Sequence, residues 1–285
     1  MKHKLNVTLL IILLFLVSHL VGLFIIKHYL PKEQNLPLNI EKPQFEEKTA
    51  YIQIIIMILV ATAIILVLLK FKAVRLFKVW FFLSIFACLT IAFGAFVKEI
   101  IAALLSLVLS IFRVFKSNTI VHNFTEVFVD GGLAAIFVPV LEIFSAVITL
   151  LVISVYDIIA VWKTKHMISL AKFQVGSGSF AGLSIPYKAT NNKIVNKKIK
   201  LQRNVAGGSV INQAILGGGD IGFPLMFSGA VMKSFGFVPA FIVSIFAAIG
   251  LFVLFVIAKK HKFYPAMPFI TTGCLLGLLV VKLLF

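Results

Sequence analysis

The sequence has few acidic residues and few cysteines, and each shortage excludes some classes of protein. Ten Asp and Glu stand against 27 Lys and Arg among 285 residues, which gives a formal net charge of +17. Both cysteines, Cys88 and Cys274, lie within apolar runs, so we expect neither a disulfide framework nor a thiolate metal site. The apolar segments also lack His-x-x-x-His and Gly-x-Ser-x-Gly patterns, which leaves metalloprotease and serine-hydrolase chemistry without residues there.

What the sequence does contain is apolar surface, at 61% hydrophobic residues and a mean hydropathy of +1.09. This composition predicts an integral membrane protein with several spans. The basic residues cluster between the apolar runs, so we expect them to contact anionic lipid head groups and not nucleic acid. The first run has a charged start but lacks a small-residue cleavage site, so it is interpreted as a retained span.

Nine apolar runs are long enough, or nearly so, to cross a membrane as helices, which predicts an all-α polytopic fold. Twenty of the 27 basic residues then fall on the side that holds the N-terminus. The positive-inside rule therefore places the N-terminus in the cytoplasm and the C-terminus outside. The runs are Leu5–Ile26, Tyr51–Leu69, Val79–Val97, Ile100–Phe115, Thr119–Leu141, Phe144–Trp162, Ser209–Met232, Phe237–Ala258 and Tyr264–Phe285.

A long basic segment divides the chain into three parts. Residues 1–163 form a six-span part, residues 164–208 a cytoplasmic loop, and residues 209–285 a three-span part. Within the loop, His166–Ala171 is amphipathic and is expected at the membrane interface. Alternation in Lys193–Leu201 predicts a strand, although a linker held to lipid by its lysines explains the same residues.

Two aspartates lie inside apolar runs, where an ionisable side chain is costly and by default marks function. Asp220 follows three glycines in Ala214–Pro224, and Asp157 stands near the end of the sixth run. Glycines allow close helix approach or an unwound backbone, although tight packing alone would also explain them. Because the sixth and seventh runs are consecutive and antiparallel, the two carboxyl groups are expected at similar depth in the cytoplasmic half.

Two carboxyl groups in a poorly solvated site cannot both ionise comfortably, so they share one proton. The ionised member can take a proton from water while the protonated member donates to a substrate carbonyl, as in aspartic proteases. This chemistry needs no metal, no cofactor and no covalent intermediate. The isolated His19 in the first run is interpreted as a packed or lipid-interface histidine.

Three short motifs together resemble those of the presenilin and signal peptide peptidase family of GxGD intramembrane aspartic proteases. They are Tyr156-Asp157, Gly217-Gly218-Gly219-Asp220 and Pro265-Ala266-Met267, set against the family patterns Tyr-Asp, Gly-x-Gly-Asp and Pro-Ala-Leu. The resemblance covers the whole nine-span layout. It departs at Met267, where the family usually has Leu, and Gly218 occupies the variable position.

The resemblance implies that Asp157 and Asp220 are catalytic and that six further residues line the site. It also implies single-span membrane substrates, such as leftover signal peptides or membrane stubs. The N-in orientation is presenilin-like, and the compact chain is similar to prokaryotic members that work in the plasma membrane without accessory subunits. The oligomeric state is left open. The implied lining residues are Tyr156, Gly217, Gly219, Pro265, Ala266 and Met267.

Two other functions use buried acids. A proton- or ion-coupled transporter places them on broken helices, but usually within inverted repeats and at the midplane. No internal repeat is evident here, and both aspartates lie toward one face. In a membrane scaffold the acids would only form ion pairs, yet the central parts of the sixth and seventh runs contain no Lys or Arg. The protease is therefore the favoured hypothesis, with the transporter as its alternative.

Overall fold

A computed structural model describes residues 5–31, 36–43, 45–46, 49–71, 73–116, 118–164, 166–188, 211–258 and 263–285. These residues form mainly helices, together with one small sheet. The helices are α1 (Leu5–Tyr29), α2 (Ala50–Lys70), α3 (Val74–Gly94), α4 (Glu99–Phe115), α5 (Thr119–Phe137), α6 (Ile143–Ile158), α7 (His166–Ser177), α8 (Gly219–Phe235), α9 (Phe237–Ile257) and α10 (Met267–Leu284). The strands are β1 (Gly182–Lys188) and β2 (Ile211–Gly217).

The helix ends follow local sequence signals. The Asn118 side chain caps α5 by accepting the Ile120 N–H at 2.9 Å. Pro139 lies in a short 3₁₀ turn that ends α5, and α6 begins at Ile143, so the turn at this proline separates the helices of the fifth and sixth runs. Glu99 lies in the first turn of α4, where a negative charge complements the helix dipole.

Within the described residues, seven helices are long and apolar enough to cross a membrane, which makes this an integral membrane protein. The remaining two of the nine expected runs contain α4 and α8, which have 17 residues each. Within the run Ser209–Met232, the segment Ile211–Gly217 is strand β2 and helix begins only at Gly219. The backbone just before Asp220 is therefore not helical, which is one of the two arrangements that its glycines allow.

The core lies among α1, α5, α6, α8, α9 and α10. Phe15, Leu23, Phe227 and Leu251 are almost fully buried there. Helices α9 and α10 approach closely, since a Cβ at Gly273 would lie 2.3 Å from the Phe246 carbonyl oxygen. By contrast, α2 is peripheral and exposes most of its apolar side chains, as expected for a helix that faces lipid.

The sheet consists of β1 and β2 in antiparallel register, from Gly182 opposite Gly217 to Lys188 opposite Ile211. Helix α7 includes the amphipathic segment His166–Ala171. The expected strand Lys193–Leu201 lies outside the described residues. Because β2 ends at Gly217, the sheet leads directly into α8 and its aspartate.

Candidate active site

Asp157 lies in the last turn of α6 and is buried. The helix then continues as one π-helical turn over Ile159–Lys163, a feature that often accompanies functional sites. One carboxyl oxygen of Asp157, Oδ2, accepts the backbone N–H of Met267 at 3.1 Å. The Ala266 N–H also interacts with this carboxyl group. Asp157 is therefore held by backbone donors of a distant part of the chain.

These donors are available because α10 begins at this point. The first N–H groups of a helix have no partner within the helix, and their partial positive charge attracts an anion. Pro265 lies just before the helix and Pro268 occupies its first turn, so the chain turns at a fixed place with few competing donors. The Pro-Ala-Met motif therefore supplies main-chain groups to the aspartate.

Asp220 is the second residue of α8. Its Oδ2 lies 3.3 Å from the position that a Cβ would occupy at Gly217, and the Gly217 backbone interacts with the carboxyl group. Pro224 lies inside α8 and has no N–H, so the Asp220 carbonyl lacks its usual helical donor. Glycine upstream and proline downstream thus loosen the backbone around this aspartate.

The two aspartates come together where α6, α8 and α10 pack against one another. Their carboxyl groups are close enough to interact electrostatically. A side-chain hydrogen bond of 2.7 Å between the hydroxyls of Ser154 and Thr271 joins α6 to α10 near this point. The fold therefore brings the buried Asp157 and the partly buried Asp220 into one site although 63 positions separate them in the sequence.

The other expected lining residues divide into two groups. Gly217 and Gly219 surround Asp220, while Ala266 and Met267 contact Asp157. Tyr156 differs, because its hydroxyl forms a 2.8 Å hydrogen bond with His166 of α7. This bond directs the Tyr156 hydroxyl toward the segment that follows α6.

Two acidic residues of α5, Glu126 and Asp130, lie beside the start of α8 and were not among the expected site residues. They are one helical turn apart. A Cβ at Gly218 would lie 3.0 Å from Glu126 Oε1, and a Cβ at Gly222 would lie 3.4 Å from Asp130 Oδ1. Glu126 forms a buried ion pair with Arg113 of α4. The signal in the sequence was a pair of acids four residues apart in an apolar run, with a basic residue in the preceding run.

The described residues contain no group of three His, Cys, Asp or Glu that could hold a metal ion. His19 is fully buried in α1, where its Nδ1 bonds the Phe15 carbonyl at 3.0 Å, in agreement with a packing residue. Within this part of the chain, what the site offers chemically is a carboxyl pair with main-chain donors on both members. That arrangement suits acid–base activation of water.

Comparison with known proteins also indicates an aspartic protease. A family model described as signal-peptide peptidase, presenilin aspartyl protease matches residues 12–285, and the chain belongs to that family. A solved structure of a presenilin family intramembrane aspartate protease in space group C222 is 20% identical, with a TM-score of 0.64 over 98% of this chain and 99% of that one. A structure of such a protease in space group P2 is 18% identical, with a TM-score of 0.64 over 96% of this chain and 97% of that one.

A comparison with curated proteins gave no match. The family match makes this chain an intramembrane aspartyl protease, and therefore a peptidase. Neither the family nor the similar structures support the transporter alternative. Because the two solved structures are only 20% and 18% identical to this chain, their similarity is evidence for the fold only.

Proposed function

We propose that this protein hydrolyses peptide bonds within single-span membrane substrates, with Asp157 and Asp220 as its catalytic pair. The observation that carries the proposal is the packing of α6, α8 and α10 around these two carboxyl groups, with the first backbone N–H groups of α10 donating to Asp157. Signal peptides and membrane stubs are the expected substrates, because such segments remain in the bilayer after other cleavages.

In the proposed reaction the pair holds one proton. The ionised carboxylate removes a proton from water as the oxygen attacks the substrate carbonyl carbon, and the protonated carboxyl donates its proton to the carbonyl oxygen. A tetrahedral diol results. A proton then passes from the pair to the amide nitrogen as the C–N bond breaks, and the diol loses a proton to the pair to become the new carboxyl group.

A substrate helix must unwind before water can reach its peptide bond, since the helix shields its own backbone. Unwinding frees N–H and C=O groups that need partners, which an exposed strand edge can provide. Strand β2 is suited to this role because it ends at Gly217, beside Asp220. We propose that substrate pairs with β2 as an added strand.

The proposed membrane arrangement counts α4 and α8 as spans, which gives nine. The N-terminus then lies in the cytoplasm and the C-terminus outside, with residues 1–163, 164–208 and 209–285 as the three parts described above. We further propose that the protein works in a prokaryotic plasma membrane without an accessory subunit, in contact with membrane lipids and not with nucleic acid. Labelling of single cysteines from either side of sealed vesicles tests this topology.

The test of function uses purified protein and a single-span reporter peptide. We expect wild type to cleave the reporter, whereas Asp157→Ala and Asp220→Ala each reduce cleavage to background while the protein stays folded. Glu142→Ala is the matched control, because it removes a carboxyl group at the end of α6 opposite Asp157. More than a few per cent of wild-type activity in either dyad variant would falsify the assignment.

A further inference from the structure

The polar end of α5 makes specific contacts with the backbone of β1. His122 Nε2 lies 2.7 Å from the Gly182 carbonyl oxygen. The Asn123 side chain donates from Nδ2 to the Ser184 carbonyl at 2.9 Å, and its Oδ1 accepts the Ser184 N–H at 3.0 Å. One asparagine amide therefore satisfies both backbone groups of a strand residue, as a neighbouring strand would.

The register shows which edge of β1 these contacts occupy. In an antiparallel pair, alternate residues direct their backbone groups toward the partner strand. Gly218 donates to the Ala181 carbonyl at 3.2 Å, which continues this pairing just beyond the sheet. Residues of the same alternation as Ala181 thus face β2, while Gly182, Ser184 and Pro186 face outward.

At each outward position of β1 from 182 to 186, at least one backbone group is consequently unavailable to an added strand. His122 holds the carbonyl of Gly182, and Asn123 holds both groups of Ser184. Pro186 has no N–H to offer, and proline on an edge is a common means of preventing strand addition.

The outer edge of β2 lacks the features that close the outer edge of β1, as far as the described residues show. The same alternation directs the backbone groups of Ile211, Gln213, Ile215 and Gly217 away from β1, and none of these is proline. Within the described part of the chain, no backbone–backbone hydrogen bond joins Gln213 or Ile215 to another element. This open edge runs to Gly217 and the Asp220 carboxyl.

We propose that His122, Asn123 and Pro186 close the outer edge of β1, so that an extended substrate segment can add only to β2. This inference rests on the proposed function. A strand added to β1 would lie three strand spacings from one added to β2, about 14 Å away, which is too far from Asp220 for cleavage. These three residues are positioning and specificity residues and do not touch the reacting atoms.

Further contacts among α4, α5 and the residues before β1 hold His122 and Asn123 in position. The buried guanidinium of Arg113 donates to Thr125 Oγ1 at 2.9 Å, pairs with Glu126, and reaches the Phe180 carbonyl at 3.4 Å. The His122 ring stacks on Phe180 with centroids 6.1 Å apart. Because these contacts hold the turn of α5 that follows Asn123 and the residue that precedes β1 by two positions, they fix His122 and Asn123 against β1.

A matched pair of proline variants first tests whether substrate uses β2. Ser184 and Ile215 are directly opposite, and both direct their N–H groups outward. Ile215→Pro removes a donor from the open edge, whereas Ser184→Pro removes one from the closed edge and leaves the β1–β2 pairing intact. We expect cleavage to fall at least tenfold in Ile215→Pro and less than threefold in Ser184→Pro. Equal effects would overturn the β2 proposal and leave the catalytic pair untouched.

Disulfide cross-linking then tests the closure itself. The enzyme carries Asp157→Asn, Cys88→Ala and Cys274→Ala, plus either Ser184→Cys or Ile215→Cys. The probe is a set of single-span peptides with one cysteine moved along the segment beyond the scissile bond. Adjacent strands bring Cα atoms to about 4.5–5.5 Å, within disulfide range. We expect cross-links at position 215 and none at position 184.

Opening the edge with Asn123→Ala and Pro186→Ala should make cross-links appear at position 184, while those at position 215 remain. Asn118→Ala is the matched control, because the side chain of this asparagine accepts the Ile120 N–H of α5 itself. In the active enzyme the opened variant should lower kcat and KM by the same factor, about twofold, since pairing at β1 is unproductive.

Persistent absence of a cross-link at position 184 in the opened variant would overturn the closure. Loss of the cross-link at position 215 in that variant would overturn it as well, because Asn123 would then hold the sheet together and not seal an edge. Pro186→Ala alone restores an outward N–H donor and keeps the hydrogen bonds from α5 to Gly182 and Ser184. There no cross-link at position 184 is expected, and its appearance would contradict the role of Asn123.

Discussion

The two aspartates of the candidate site reach the same place from different surroundings. Asp157 extends from a long helix and is held by main-chain donors of a helix more than a hundred residues away. Asp220 follows a strand and three glycines, and its nearest support is the adjacent Gly217. One carboxyl group is therefore positioned by tertiary packing and the other by local backbone. Two carboxyl groups with equivalent chemical roles can therefore be held in place by different kinds of contact.

The largest expected effect tests whether the chemistry is symmetric. Asp157→Asn and Asp220→Asn each keep the side-chain shape but remove the group that exchanges protons. We expect both to lose about a hundredfold or more in kcat, as is usual when a general acid or base is removed. The measurement is reporter cleavage by mass spectrometry, with circular dichroism to check folding. If one amide variant retained activity, that aspartate would be a structural polar contact.

A pH profile tests whether the two carboxyl groups act as one unit. At low pH both are protonated and no base remains; at high pH both are ionised and no acid remains. We expect a bell-shaped dependence of kcat/KM on pH, with activity lost toward the alkaline side as the shared proton leaves. Chelators should have no effect. Inhibition by a chelator that zinc then reverses would contradict this mechanism.

A smaller effect isolates the local support of Asp220. Gly217→Ala places a methyl group 3.3 Å from the Asp220 Oδ2, a tight contact that displaces the carboxyl group. We expect kcat to fall about tenfold, because sub-ångström misplacement of a reacting group is costly. Gly219→Ala is the matched control, since its Cβ meets only the Phe223 ring at 3.4 Å. Equal losses in both variants would mean that backbone flexibility, and not the carboxyl position, is limiting.

The smallest expected effect concerns the distant support of Asp157. Met267→Leu changes the side chain but keeps the backbone N–H that bonds Asp157. We expect activity within about twofold of wild type and a stability change below about 1.5 kcal/mol, because the swap conserves volume. Thermal unfolding and reporter cleavage measure the two. A large loss of activity would show that the methionine side chain itself shapes the site.

Much of the candidate site could be inferred from the sequence, because its residue types are unusual in their surroundings. Asp157 and Asp220 are unusual because acids are rare in apolar segments, and the glycines and prolines near them constrain the backbone wherever the chain folds. The orientation of Tyr156 toward His166 could not be inferred, because neighbouring residues on a helix point in different directions.

The membrane class, the family motifs and the two acids within apolar runs can be recognised from the amino-acid sequence. Each depends on composition or on a short local pattern, and none requires knowledge of how distant segments pack. The folded chain was needed to show that β2 replaces the first part of the seventh run, that α10 donates to Asp157, and that α5 occupies one edge of the sheet. These features join residues far apart in the chain, and their pairing depends on which surfaces the packed helices bring together.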